Sequence, residues 1–570
     1  MMSTKENIAG SEELSGNQEI VPGTIHLVDL EGILNVQKDP NSKHNIILVP
    51  QPSSNPNDPL RWSQTKKNSQ FAFLWFWAFM MAVTVGWTGP AYDVWVEKLG
   101  VTYSALNNTA AVCFLFLGLG CLFLQPTALK LGRRFVYLLC TVLGIISNIC
   151  GSQANSIGLL YVLNLIGGFA AAPVDSLVEI STTDVFFQHE RARYLSFFIF
   201  ALYAGSDLGP VAAGYIIENM SWRWCLYFQI IILGAMLVIQ IFYMEDTTFS
   251  RIGTDSFNLE ENILYQIKSH ETIASNTGKG LNPAADDKTE AVVTEGGAES
   301  DDGQSLDLSI PKRTYWQRMR LIETEYSDPR SWLTIWYRPF FLISFPAIVW
   351  GGLVYGSQMM WLSLIQTTSS ELYTAAPYHM STQEVGLTNL SAFIGSIFGM
   401  FYGGNFVDWL TIKLSERNNG VLEPEFRLWA MIVPTTFNAC GILAYGLGTS
   451  YAAHWFVSVG IGMFLMGFAM ASTGGICLTY VVDCYPEVAS EGLVLMLFIR
   501  NMIGMGFTFA IQPWLNRDGV KLTTWLMFML SLVINGSFVL LLIWGKDFRR
   551  WTKERYYRYS DPMFGELFKK

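Results

Sequence analysis

The stretch YLSFFIFALYAGSDLGPVAAGYIIENMSWRWCLYFQIIILGAMLVIQIFY, residues 194–243, decides the fold. It holds two apolar runs, near 194–217 and 223–243, parted only by the short ENMS of 218–221. A helix needs about 20 residues to cross the hydrocarbon of a bilayer, so each run is one crossing and the short join turns the chain straight back. Outward from here, runs of the same kind lie near 71–92, 106–126, 135–154 and 157–182, and six more near 339–363, 386–407, 428–449, 453–480, 491–512 and 523–545. The expectation is an all-α membrane protein with twelve transmembrane helices in two six-helix bundles.

The polar stretches divide the chain further. Residues 1–68 form a polar tail, 69–244 a first bundle, 245–338 a linker, 339–546 a second bundle and 547–570 a closing tail. The linker carries KTEAVVTEGGAESDDGQS at 288–305, a composition that buries little and predicts flexibility. Of the whole chain, 51% is hydrophobic and only 15% charged, against roughly 25% charged in soluble domains. The net charge of −10 gathers in tail and linker and bears on solubility rather than on a ligand. The eight cysteines fall in or beside apolar runs with no paired spacing, so neither a disulfide framework nor a zinc site is expected. No basic-then-apolar leader precedes the first run, which must direct insertion itself.

Short cytoplasmic loops gather Lys and Arg. Lys130, Arg133 and Arg134 follow the second run, Arg191 and Arg193 the fourth, Lys413 and Arg417 the eighth, and Lys546, Arg549 and Arg550 the last. Both termini are therefore expected in the cytosol. Two sequons, Asn107-Asn108-Thr109 and Asn219-Met220-Ser221, fall on the opposite side.

Gly205, Gly209, Pro210 and Gly214 fit GxxxGPxxGG on the fifth helix, with Ala213 in place of one closing glycine. Small residues at this spacing let helices approach closely and the proline kinks the helix. LVPQPSSNPNDPLRWS at 48–63, DVFFQHERAR at 184–193, RNNGVLEPEFRL at 417–428 and VVDCYPE at 481–487 extend the pattern. Together these segments resemble the major facilitator superfamily, its fungal drug:proton antiporter branch, and within it the yeast histidinol and polyamine transporter group. The resemblance covers roughly residues 45–560 apart from the linker, and implies a plasma-membrane carrier of small organic cations with its substrate site between the two bundles. Two departures stand out. In LKLGRR at 129–134, Gly132, Arg133 and Arg134 match the family's loop motif but Leu129 stands where its Asp belongs, while Asp408 survives in GGNFVDWL at 403–410 as one interdomain latch. Asn164 stands where antiporter relatives carry an Arg associated with proton exchange.

A charge near the bilayer centre costs about 2.5–3.5 kcal/mol, so ionisable residues there are candidates for function. Asp207 falls mid-helix inside the glycine pattern, as a site for substrate or proton or as a charge met by a neighbouring helix. Asp175 and Glu179 share one face of the fourth helix, about 6 Å apart along its axis, which suits two ammonium groups on a short alkyl chain; Glu179 could equally be solvated at the interface. Asp93 sits where a cation would first arrive or where a helix end is simply wet. Arg500 and Asn501 lie well inside the eleventh helix, where an Arg needs a carboxylate or carbonyl partner, and a structural interhelix pair is the reading. Asp184, His189, Arg191, Asp408 and Asp483 map to cytoplasmic helix ends and read as gates. Among many aromatics, Trp87 and Tyr355 are the candidates for cation–π contact.

The functional expectation is import of polyamines or related organic cations by alternating access, with multidrug:proton efflux as the rival. The expected partners are a small cation, protons as a candidate coupling ion and the lipid bilayer, with no nucleic acid, cofactor or metal, and a monomeric state. No nucleophile–base pair, metal cluster or phosphate loop supports an enzyme. A non-transporting sensor would call for a long structured tail, and an acidic site disfavours glucose or phosphate.

Overall fold

The computed structural model describes residues 21–26, 52, 53, 55–249, 311–322, 330–418 and 421–560. Ten membrane-length spans come first: α1 (Gln64–Leu99), interrupted by a turn at 87–90, α2 (Tyr103–Leu131), α3 (Arg133–Ser152), α4 (Ile157–Val185), α5 (Gln188–Asn219), α6 (Trp222–Tyr243), α7 (Pro346–Thr374), α8 (Thr382–Arg417), α9 (Pro424–Ser450) and α10 (Phe456–Cys484). The final span, Pro486–Tyr559, is 74 residues long and breaks at Gly519, whose φ of 70° and ψ of 163° no helix tolerates. It is thus two crossings, α11 (489–518) and α12 (520–560), and the twelve-helix expectation holds.

Side-chain caps start several of these helices where the apolar runs begin. Ser63 and Thr102 accept backbone N–H groups at the starts of α1 and α2, and Ser381 with Glu384 forms a capping box on α8. Gly132 alone separates α2 from α3, at φ 92°, a conformation closed to residues with a Cβ. That geometry accounts for the glycine of the loop motif. Helix α12 continues through Ser560, so the closing tail begins as helix rather than coil.

Burial sorts the helices by depth. The most apolar window of α7 is 89% buried and that of α6 only 33%; Ile231, Val238 and Phe242 of α6 point outward, as lipid contact requires. Across the interface between the halves α2 lies along α11 and α5 along α8.

The linker reading is corrected in part. Residues 250–310 and 323–329, with the acidic 288–305 stretch, lie outside the described residues, as do the His189 and Arg191 side chains. What is described of its end is docked: helix Trp332–Phe341 stacks Trp332 and Trp336 against Phe123 of α2, and Arg134 donates to the carbonyls of Met319 and Arg320. The aromatic residues of 332–341 supply the apolar surface that the acidic stretch lacks. Upstream, β1 (Ile25–His26) pairs antiparallel with β2 (Val421–Leu422), tying the N-terminal segment to the second half.

Candidate substrate cavity

A small, partly open cavity lies between the halves. Its wall takes Ala82 and Val85 from α1, Phe114 and Leu117 from α2, Asp175 from α4, Tyr203 and Ser206 from α5, Met359 and Gln366 from α7 and Arg500 from α11. Six helices from both halves thus enclose a space that is apolar except for a few convergent polar groups, as small-molecule sites are.

Arg500 dominates its electrostatics. Its guanidinium is ion-paired with Asp175 at 2.9 Å and stacks over the Tyr355 ring at 4.3 Å. The interhelical pair expected of Arg500 is present, and its partner belongs to the opposite half. One turn along α4, Glu179 is fully buried, and neither carboxylate oxygen has a hydrogen-bond partner among the described residues. The solvated alternative for Glu179 is therefore wrong: α4 runs deep in the bundle, and Glu179 stands behind the cavity wall rather than in it. Asp207 is 1% exposed and its Oδ2 is likewise without a partner. It stands on α5 beside Tyr203 and Ser206, both in the wall.

Two candidates lie elsewhere. Trp87 packs edge-on against Trp95, which meets Trp222 the same way, each at 5.7 Å; this aromatic cluster caps the first half and leaves Trp87 outside the cavity. Asp93 is neither free nor in the cavity, since the Tyr103 hydroxyl donates to it at 2.8 Å. Tyr355 is fully buried and outside the cavity wall, and Arg500 covers one face of its ring. The sequence reading missed Gln366, Ser206 and Tyr203; Gln366 opens the polar run QTTSSE of 366–371, which hides it among its neighbours.

The charged motif residues gather at one end, here the basic end. Arg133 pairs with Asp184, and Arg134 also donates to the Ile241 carbonyl at 2.6 Å. Arg427 bridges Asp408 at 3.0 Å and Asp483 at 2.7 Å. Among the described residues, the ion-pair partner of Asp408 is thus Arg427, on the first turn of α9 in the same half. Among the described residues, contact between halves at this end includes Gln125 with Ser490 at 3.0 Å, and Gly404, where an added Cβ would lie 3.0 Å from Ser196.

The opposite end is held as well. Asn107 donates to Gln512 at 3.1 Å, and Gln512 to Glu371 at 2.9 Å. Asn107 is buried in α2, so its sequon is inaccessible, whereas Asn219 at the end of α5 stays exposed. Gly205 and Gly209 seat α5 on Ala82, Val83 and Trp87 of α1, and Gly214 seats it on Gly386 of α8 next to Pro210. Asn164 donates to Thr109 at 3.2 Å and to the Leu160 carbonyl at 3.1 Å, holding α4 to α2 where the family's Arg is missing.

Two helical bundles meeting at a cavity with a few convergent polar groups define a multi-pass membrane carrier. Residues 74–508 match the Major Facilitator Superfamily, and the chain belongs to that family of transporters. It is similar to an uncharacterised MFS-type transporter of Schizosaccharomyces pombe, with 30% identity over 567 residues covering 96% of each chain. It is also similar to Protein HOL1 of Saccharomyces cerevisiae, 29% identical over 570 residues that cover 94% of this chain and 97% of that one. In fold it matches the solved structure of the proton:xylose symporter XylE, at a TM-score of 0.54 and 12% identity, covering 84% of this chain and 97% of the other.

Proposed function

We propose that the protein imports small organic cations, polyamines foremost, across the plasma membrane by alternating access, with both termini in the cytosol. The observation that carries this reading is the acidic balance around the cavity. Among the described residues, Asp175 lines the cavity, Glu179 and Asp207 are buried on its helices, and Arg500 is the one basic residue in its wall. A site with more buried acid than base favours a cation, and the inward-negative potential adds about 2.3 kcal/mol per charge for each 100 mV. Contacts between the halves at both ends of the cavity suit a state between inward and outward opening.

Efflux of drugs against protons is the second reading, favoured by the α5 glycines that seat α5 on both α1 and α8. One experiment separates the two. Full-length protein in liposomes is given labelled spermidine under an imposed inside-negative potential, then under a proton gradient alone. Potential-driven accumulation, abolished when the potential is collapsed and absent for a neutral sugar, is expected. Equal carriage of the neutral solute removes the cation reading, and movement driven only by the proton gradient favours efflux.

A further inference from the structure

The Arg500–Asp175 pair ties the two halves together inside the membrane, since Asp175 sits on α4 and Arg500 on α11. Both residues line the cavity, within reach of an incoming solute. Glu179 is four residues further along α4 and points into the same packed region, where the charges of Asp175 and Arg500 act on it. Groups from three neighbouring helices face this cluster: Cys121 of α2, Tyr203 of α5 and Tyr355 of α7. None of them gives Glu179 a hydrogen bond. A fully buried carboxylate without a donor is costly, and the cavity wall does not reach it.

We propose that Glu179 is the second station for Arg500. This rests on the cation reading and deepens it. A cation entering the cavity takes Asp175, and Arg500, displaced, moves one helical turn, about 6 Å, to Glu179. The charge balance closes only once the cation is bound, and that gain drives the exchange. Before binding, Arg500 neutralises Asp175 and Glu179 stands alone; afterwards the cation neutralises Asp175 and Arg500 neutralises Glu179. Return of Arg500 to Asp175 then expels the cation. Because Arg500 belongs to one half and both carboxylates to the other, the exchange is coupled to the relative movement of the halves. Glu179 is thus a positioning residue for Arg500 and never touches the solute.

The test is a double-mutant cycle on the full chain in nanodiscs, with spermidine affinity measured by calorimetry for wild type, E179Q, R500Q and E179Q/R500Q, and turnover measured in liposomes. E179Q is expected to raise Kd at least tenfold, and E179D to recover part of the loss. R500Q, lacking the competitor for Asp175, is expected to lower Kd and slow turnover, and in its background E179Q changes Kd less than twofold. An E179Q effect of equal size in both backgrounds means that Glu179 meets the cation itself and overturns the proposal, as does a wild-type Kd untouched by E179Q. Infrared difference spectra with and without spermidine keep the test decisive if R500Q does not fold: a carboxylate band that E179Q removes is expected, and its absence in wild type rejects the exchange. Wild type that binds no spermidine at all removes the cation reading and this proposal with it, whereas binding without coupling removes this proposal alone.

Discussion

Asp207 and Asp175 are both buried carboxylates on cavity-forming helices, yet their surroundings predict opposite responses to the same substitution. The Oδ2 of Asp207 has no partner, so Asp207→Asn removes an unmet charge and leaves the fold intact. Asp175 neutralises Arg500, and Asp175→Asn strands a guanidinium in the bundle, a loss of about 3–5 kcal/mol. Thermal melting of the purified variants should show Asp207→Asn close to wild type and Asp175→Asn clearly lower. Spermidine uptake by Asp207→Asn should fall about tenfold or more, since a hydrogen bond to a charged group is worth about 1.5–3 kcal/mol. Normal uptake by that variant removes Asp207 from the site. The acids themselves were legible in the sequence, because a charge within an apolar run stands out. Their partners were not: Arg500 lies more than three hundred residues from Asp175, and only packing decides which carboxylate it meets.

At the scale of elements, the fifth helix shows how a local pattern becomes a hinge surface. Gly214 and Gly386 bring the backbones of α5 and α8 together, and a Cβ on Gly386 would sit 2.7 Å from the Pro210 carbonyl oxygen. Neither atom is on a flexible side chain, so Gly386→Ala must push the helices apart at the end away from the basic cluster. The expected consequence is a population shift toward opening there, about fivefold for each kcal/mol. Labelling of Ser206→Cys in the cavity wall by a membrane-impermeant maleimide, in a chain whose other cysteines are replaced, measures it. Faster labelling in the Gly386→Ala background is expected, and unchanged labelling means that this contact does not hold the closed end. The N-terminal segment offers a second case. Gly23 has a φ of 80°, and a Cβ there would lie 2.9 Å from the Cys484 backbone, while Arg549 donates to Pro22 and Thr24. Gly23→Ala should release residues 21–26 from the second half, read as faster hydrogen exchange of Val421 and Leu422, with the membrane bundle unaffected.

For the whole molecule, an even number of crossings puts both termini on one side of the membrane. A reporter fused after Lys570 should be cytosolic, and a tag in the 375–381 loop between α7 and α8 should be reachable from outside intact cells. A C-terminal reporter found outside refutes the count of twelve. The sequence by itself determined that count, the division into halves, the basic end and the acids of the bundle interior, because a bilayer demands long apolar helices and penalises each buried charge locally. It also marked Gly132 and the α5 glycines, where backbone geometry or close approach excludes a side chain. Only the tertiary structure decided that Arg500 neutralises Asp175, that Glu179 has no hydrogen-bond partner among the described residues, that Trp87 belongs to an aromatic cap and that Asp408 meets Arg427 of its own half. Those outcomes depend on which helices lie side by side, and ion pairs between distant segments are set by packing across the interface rather than by spacing along the chain.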